Sequence, residues 1–210
     1  MSASNCGDGY TSLGEAACET VISRSRFITY VYPIADEDDA AEKLRVLKKR
    51  HYDATHVCYA YIADTAGHAA RFSDDGEPSG TAGAPILDVL KSGGYRNSLI
   101  AVVRYFGGVK LGAGGLTRAY AGCAAAGVRA AQPETYRLCD VFTVETDFAD
   151  YNKILKNLPQ TLCKIVKTEY NDCITAELAD ISGSTEQTVV DRTQGRARVR
   201  LSGRRYIRVD

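Results

Sequence analysis

The segment spanning residues 71–131 constrains this chain more than any other. It carries two glycine-rich, charge-bearing stretches, residues 71–85 (RFSDDGEPSGTAGAP) and 104–118 (RYFGGVKLGAGGLTR). Each follows a strand-like run and leads into a helix-like run. Glycine gives up more backbone freedom on folding than any other residue. Two such loops close together therefore need a cause: tight turns, or backbone that must come very near something else.

The rest of the composition narrows the setting. A chain of 210 residues suits one large or two small domains, and 45% hydrophobic residues are enough for a real core. Lys and Arg balance Asp and Glu at 26 each. The whole-chain field thus gives no argument for nucleic acid or membrane, and local patches must carry any such argument. Seven cysteines without a C-x-x-C pair argue against a disulfide framework or a zinc ribbon. They read as reduced thiols of a cytoplasmic protein. No apolar run approaches the roughly 20 residues that span a bilayer. The polar, small residues at the start predict a loose tail over 1–16 and no signal-peptide core.

Along the chain, strands are expected over 19–22 and 27–34, with a turn between them. Acids in the first turn and bases in the last predict a helix over 36–50, with Ala40, Leu44 and Leu47 as its apolar stripe. A strand follows over 56–62. The next helix is expected over 84–91, with Pro85 in its first turn and Gly93-Gly94 ending it. Residues 98–106 form the most apolar strand, expected at the centre of a sheet. The helix from about 115 to 132 is dominated by Ala and Gly, so its axis can approach a sheet closely, with Leu116, Tyr120, Cys123 and Val128 turned to the core. Residues 133–135 read as a linker. Beyond it come a strand over 141–146, a helix over 148–158, a hairpin of 164–170 and 173–178, a helix over 184–192, and strands over 197–201 and 206–209. That is the split βαβ, ferredoxin-like order. The chain divides accordingly into 17–136 and 137–210.

Two clusters could carry chemistry. In the second loop, Gly107, Gly108, Gly112, Gly114 and Gly115 precede a helix, and backbone N–H groups at a helix N-terminus attract anions. Lys110 and Arg118 add charge there, with Arg104 at the strand end. The arrangement suits phosphate or nucleic-acid backbone, although Ala113 stands where a Walker A lysine would be and Thr117 where a dinucleotide fingerprint has its last glycine. The alternative is that the glycines serve turns and close packing. In the first loop, Asp74, Asp75 and Glu77 would raise one another's pKa or recruit a cation such as magnesium if they converged. Otherwise they form a polar turn, with Ser79 or Thr81 capping the next helix. His51, His56 and His68 have no ligand spacing. Near the C-terminus, Arg196, Arg198 and Arg200 alternate with apolar residues and so share one strand face. That face is either an accessory nucleic-acid surface or a solvated one.

Residues 72–86 (FSDDGEPSGTAGAPI) and 102–120 (VVRYFGGVKLGAGGLTRAY) resemble the signature of the YigZ/IMPACT ("imprinted and ancient") family. The resemblance covers about residues 17–132, and the remainder resembles the small C-terminal domain of the bacterial members. It implies an α+β protein. The N-terminal domain would have the left-handed βαβ fold of the second domain of ribosomal protein S-five and of domain IV of elongation factor G. The C-terminal domain would be ferredoxin-like, resembling domain V of that factor. Eukaryotic relatives regulate translation under amino-acid starvation, and their partner-binding RWD domain has no counterpart in this sequence. The resemblance brings no settled catalytic activity and no required cofactor. It points to Asp74, Asp75, Glu77, Thr81, Arg104, Tyr105, Lys110 and Arg118 as signature residues.

The expectation is a cytoplasmic binding module for structured RNA or the ribosome, with proteins of the translation machinery as further candidate partners and no membrane partner. The alternative is a magnesium-dependent enzyme acting on a small phosphorylated or nucleotide ligand, with the acids of the first loop around the metal.

Overall fold

Strand β6 (Ser98–Tyr105) is buried along almost its whole length. It lies at the centre of a five-stranded antiparallel sheet ordered β2 (Ala16–Ile22), β3 (Ser25–Pro33), β6, β4 (His56–Ile62), β5 (Ala70–Ser73). Both faces of β6 are covered, so its residues are apolar on both sides of the pleat rather than alternating. On one face, helix α1 (Glu37–Arg50) packs Ala40, Leu44 and Leu47 against Ile28, Val57, Leu99, Ala101 and Val103. On the other, α2 (Gly83–Ser92) and α3 (Gly112–Ala131) cover Phe27, Val31, Cys58, Ala60, Ile100 and Val102. The two sets interleave along each strand because successive side chains point to opposite faces.

The structure is a computed structural model that describes residues 9–209. These fall into two units, one of Tyr10–Thr135 and one that holds Tyr136 onward. In the first, α1 begins where expected, its N-cap Asp36 accepting from the Asp39 amide at 2.8 Å. Ser23 and Arg24 both have positive φ, 47° and 66°, the two-residue turn that matches the twist of a β2–β3 hairpin. The close helix–sheet approach expected of the Ala/Gly helix occurs at Gly127. A Cβ added there would meet Thr29 Cγ2 at 2.6 Å and Val31 Cγ2 at 2.9 Å.

The second unit runs β7 (Pro133–Thr146), α4 (Phe148–Lys153) with a 3-10 turn at Leu155–Asn157, β8 (Cys163–Tyr170), β9 (Ile174–Asp180), α5 (Thr185–Thr193) and β10 (Arg198–Arg208). Its strands are ordered β10, β7, β9, β8, all antiparallel. Tyr151, Leu155 and Val189 pack with Phe142, Val144, Ile174, Ala176 and Leu178. The chain is thus mixed α and β throughout.

Several expectations need correcting. Residues 133–135 are the start of β7, not a linker, because the extended strand continues straight through them. The tail expected over 1–16 contains β1 (Gly9–Leu13), where Ser12 Oγ reaches Asn97 O at 3.1 Å and Ser98 Oγ at 3.2 Å, and the first residue of β2; residues 1–8 lie outside the described residues. The two last strands are one, bent at a bulge between Leu201 and Gly203. Helix α3 starts at Gly112, three residues earlier than its composition suggested.

Gly127→Val should destabilise the first unit. Overpacking costs about 1–3 kcal/mol, because the larger side chain pushes the helix off the sheet. A lower urea midpoint with an unchanged slope is expected; an unchanged midpoint would mean the helix does not need that approach.

Candidate functional site

Arg104 sits on the α2/α3 face of the sheet, in register with Phe27 on β3 and His56 on β4. A cation there must be neutralised, because burying a lone charge is prohibitive. Glu77, from the loop between β5 and α2, does this: its Oε1 accepts from Arg104 Nη1 at 2.6 Å and from Tyr120 Oη at 2.8 Å. Arg104 is 5% exposed and Glu77 8%. The guanidinium also donates from Nη2 to Ser25 Oγ at 3.3 Å and lies 5.4 Å from the centroids of both Phe27 and Phe106. Among the described residues its Nε has no hydrogen-bond partner.

Around this pair the network is dense. Cys58 Sγ lies 3.4 Å from Tyr120 Oη and 3.0 Å from Asp74 O. Burial pushes the Cys58 thiol up to about 12, so it is an inert thiol rather than a nucleophile. Burial also raises the Tyr120 phenol, so it stays a donor. His56 donates from Nδ1 to Asp75 O at 2.8 Å, leaving Nε2 3.9 Å from Glu77 Oε1.

The three acids of the first loop do not converge. Asp74 is turned to backbone: Oδ1 accepts from Ala82 N at 3.0 Å and Gly83 N at 2.8 Å, and Oδ2 from Gly80 N at 2.8 Å. Burial pushes its carboxyl up, but these amides outweigh that and leave it below the ordinary value. Asp75, at φ 44°, accepts from Lys48 Nζ at 2.7 Å and from Val57 N at 2.7 Å. Glu77 belongs to Arg104. Among the described residues no group of three or more His, Cys, Asp or Glu is placed to hold a metal. Of the two readings of these acids, a converging cluster or a polar turn, the structure has neither a cluster nor one shared partner: they are three separate anchors. Helix α2 is likewise capped by Asp74 and not by Ser79 or Thr81. Ser79 is exposed, and Thr81 Oγ1 donates to Pro78 O at 2.6 Å.

With its acids so engaged, the first loop forms one wall of an open cleft of ≈ 360 Å³. Glu77 and Pro78 line one side, Phe106 and residues 110–113 the other, with Arg104 and Leu116 between. The two glycine-rich stretches, some thirty positions apart in sequence, are neighbours in space. Lys110, Gly112 and Ala113 are exposed at the start of α3, which has no side-chain cap and no acid in its first turn. Gly114 and Gly115 lie in that first turn. Arg118 lies outside the cleft lining, one turn along, its Nη1 3.6 Å from where a Gly114 Cβ would stand. Gly107 has a packing role: a Cβ would meet Arg24 O at 1.9 Å, and its N–H donates to Ser25 Oγ at 3.3 Å. Gly108 borders open space. Sequence reasoning missed Ser25, His56, Cys58 and the polar role of Tyr120. The available signal was strand alternation, which puts His56 and Cys58 on the face of Arg104.

In the second unit the expected arginine face is only partly realised. Arg196 precedes β10 and forms a two-pronged pair with Asp150, at 2.9 and 2.8 Å. Arg198 pairs with Glu145 at 3.4 Å. Arg200 shares a shallow depression with Thr143, Glu145, Arg198 and Ser202. Acids thus stand opposite Arg196 and Arg198, while Arg200 is paired across the sheet with Thr143.

Comparison with known proteins identifies the family. The family model described as the Impact N-terminal domain matches residues 23–128, which contain the whole cleft. The chain belongs to the IMPACT family. It is 37% identical over 159 residues to the IMPACT family member YvyE of Bacillus subtilis, covering 76% of this chain and 73% of that one. It is 32% identical over 160 residues to the IMPACT family member YigZ of Escherichia coli, covering 75% and 78%. A crystal structure described as that of a hypothetical protein superposes with a TM-score of 0.62 at 27% identity, covering 91% of this chain and 96% of the other. Among the described residues no helix is long and apolar enough to cross a membrane.

Glu77→Gln should cost about 3–5 kcal/mol, because it leaves the Arg104 charge buried without its partner. A Glu77→Gln/Arg104→Gln variant should lose less than the sum of the two single losses in urea unfolding; strict additivity would show that the pair is not coupled. Asp74→Asn should cost about 1–3 kcal/mol at neutral pH by weakening its hydrogen bonds to three amides. The lowered carboxyl contributes stability that is present above the unfolded value near 3.8 and is lost as pH falls through the folded one. The wild-type advantage over Asp74→Asn should therefore shrink on acidification below about pH 4; a constant difference down to about pH 2 would contradict it.

Proposed function

We propose that this chain is a nucleic-acid- or ribosome-binding regulator of translation, and that it binds phosphate groups in the cleft between its two glycine-rich loops. The observation that carries the reading is the uncapped N-terminus of a 20-residue helix, flanked by Lys110 and Arg118, neither of which makes an ion pair among the described residues. Helix N-terminal amides and unpaired cations together suit an anion. Glu77, the acid that lines the cleft, is already neutralised by Arg104, so it does not cancel that attraction. Structured RNA or the ribosome is the partner of this chemistry. The family resemblance adds proteins of the translation machinery and a cytoplasmic setting. Binding of this kind needs no cofactor. A magnesium-dependent reaction gains less support, since Asp74, Asp75 and Glu77 face separate protein partners.

We also read the first unit as the left-handed βαβ fold shared with ribosomal protein S-five and domain IV of elongation factor G. The second unit is read as ferredoxin-like, in the manner of domain V. The strand order β10, β7, β9, β8 supports the latter.

Lys110→Ala/Arg118→Ala should weaken RNA binding and flatten its dependence on salt. The slope of log K against log salt should fall by about 0.7 for each single-strand phosphate no longer neutralised, or about 0.9 for duplex. Wild-type affinity and slope in the double variant would refute the cleft as the binding site.

A further inference from the structure

We infer that the cleft is a subsite for one nucleotide of single-stranded RNA, with its phosphate at the N-terminus of α3 and its base stacked on Phe106. The inference rests on the phosphate-binding role proposed above and adds a choice between single strand and duplex.

Phe106 is the first residue after β6. It is 46% exposed, and it lines the cleft between the Arg104 guanidinium and the start of α3. Arg104 lies over the ring at 5.4 Å, which holds the ring in place. The remainder of the ring is left to the cleft and to solvent. Pro78, Leu111 and Leu116 extend an apolar lining beside it. The polar end lies a few residues on, at Lys110, Gly112 and Ala113. An apolar ring next to a cationic, amide-rich end matches a nucleotide, which carries a π-face and a phosphate. Nucleic-acid grooves that read single strands combine the same two elements. A volume of ≈ 360 Å³ is in the range of small-ligand sites rather than of a duplex groove. Paired bases in a duplex are stacked on each other and cannot be splayed onto a side chain.

A separate observation points to a ligand. Arg104 is 5% exposed and borders the cleft, yet among the described residues its Nε–H finds no acceptor. Buried donors are normally satisfied, and a turn of the guanidinium on ligand binding would offer this one to an acceptor oxygen of a bound nucleotide. The backbone is also left bare where a ligand would lie. Gly112 has φ 68° at the first position of α3, and a Cβ there would meet nothing within 4 Å. Glycine is used here for its conformation and leaves the amides approachable.

The test uses the full chain and fluorescence anisotropy with a labelled single-stranded RNA and a blunt RNA duplex of equal length. Wild type should favour the single strand. Phe106→Leu, which keeps an apolar side chain but removes the π-face, should weaken single-strand binding by about 5- to 150-fold. Duplex affinity and the salt slope should stay as they were. Phe106→Trp, which keeps stacking and the cation–π interaction, should retain single-strand binding and guards against a loss caused by misfolding. Equal single-strand affinity in Phe106→Leu and wild type, or a wild-type preference for duplex, overturns the stacked subsite. In either case a weakened Lys110→Ala/Arg118→Ala variant would still uphold phosphate binding. A nucleoside monophosphate that competes as tightly as the oligomer overturns the RNA assignment in favour of a free nucleotide. No RNA binding by wild type overturns both readings.

Discussion

The buried Glu77–Arg104 ion pair is the interaction on which the rest of the cleft depends. It ties a loop to the central strand across the α2/α3 face of the sheet. Neither charge would be tolerated there alone. The pair survives burial because its geometry is good and its neighbours complete it: Tyr120 donates to Glu77, Ser25 accepts from Arg104, and two phenylalanine rings flank the guanidinium. Such a pair adds little net stability over an apolar one of the same shape. Its consequence is positional: Glu77 can occupy only one place, and so the loop that carries it forms the wall of the cleft.

The other two acids of that loop act in the same sense. Asp74 replaces the missing side-chain cap of α2 and gathers the amides of residues 80, 82 and 83. Asp75 joins the loop to α1 through Lys48 and to β4 through the Val57 amide. A run that looks like a cation site in sequence is a set of three clamps in space. Acids close together in sequence diverge when each has its own partner, and the partners come from α1, β4, β6 and the start of α2. Meanwhile the opposite wall, at the start of α3, is left without any acid in its first turn. The asymmetry in charge across the cleft follows from where the acids were drawn.

Much of this architecture was legible beforehand. The Ala40, Leu44, Leu47 stripe, the continuous apolar run of β6, and the Ala/Gly character of α3 each imply one packing arrangement, and each is found. The alternation of helices and strands in the second half indicated its element order. The errors lie where local composition competes with pairing. Pro133 and its neighbours look like a linker, yet the strand runs through them. Gly112 looks like loop, yet α3 begins there, because a glycine at positive φ can lead directly into helical residues. Arg196 and Arg198 were read as sharing a strand face, yet Arg196 precedes the strand, and Asp150 and Glu145 are brought opposite the two by the fold.

The sequence by itself determined the local periodicities, the faces that must be buried, and the family signature, because these depend on residues close together along the chain. The tertiary structure decided which charges meet. Arg104 finding Glu77, Asp74 finding the start of α2, and Lys110 and Arg118 finding no acid among the described residues are outcomes of strand order and helix placement, over separations that no local pattern encodes. Whether a charged residue serves as a clamp or remains available to a ligand is a question of its nearest opposite charge, and only the folded chain supplies that distance.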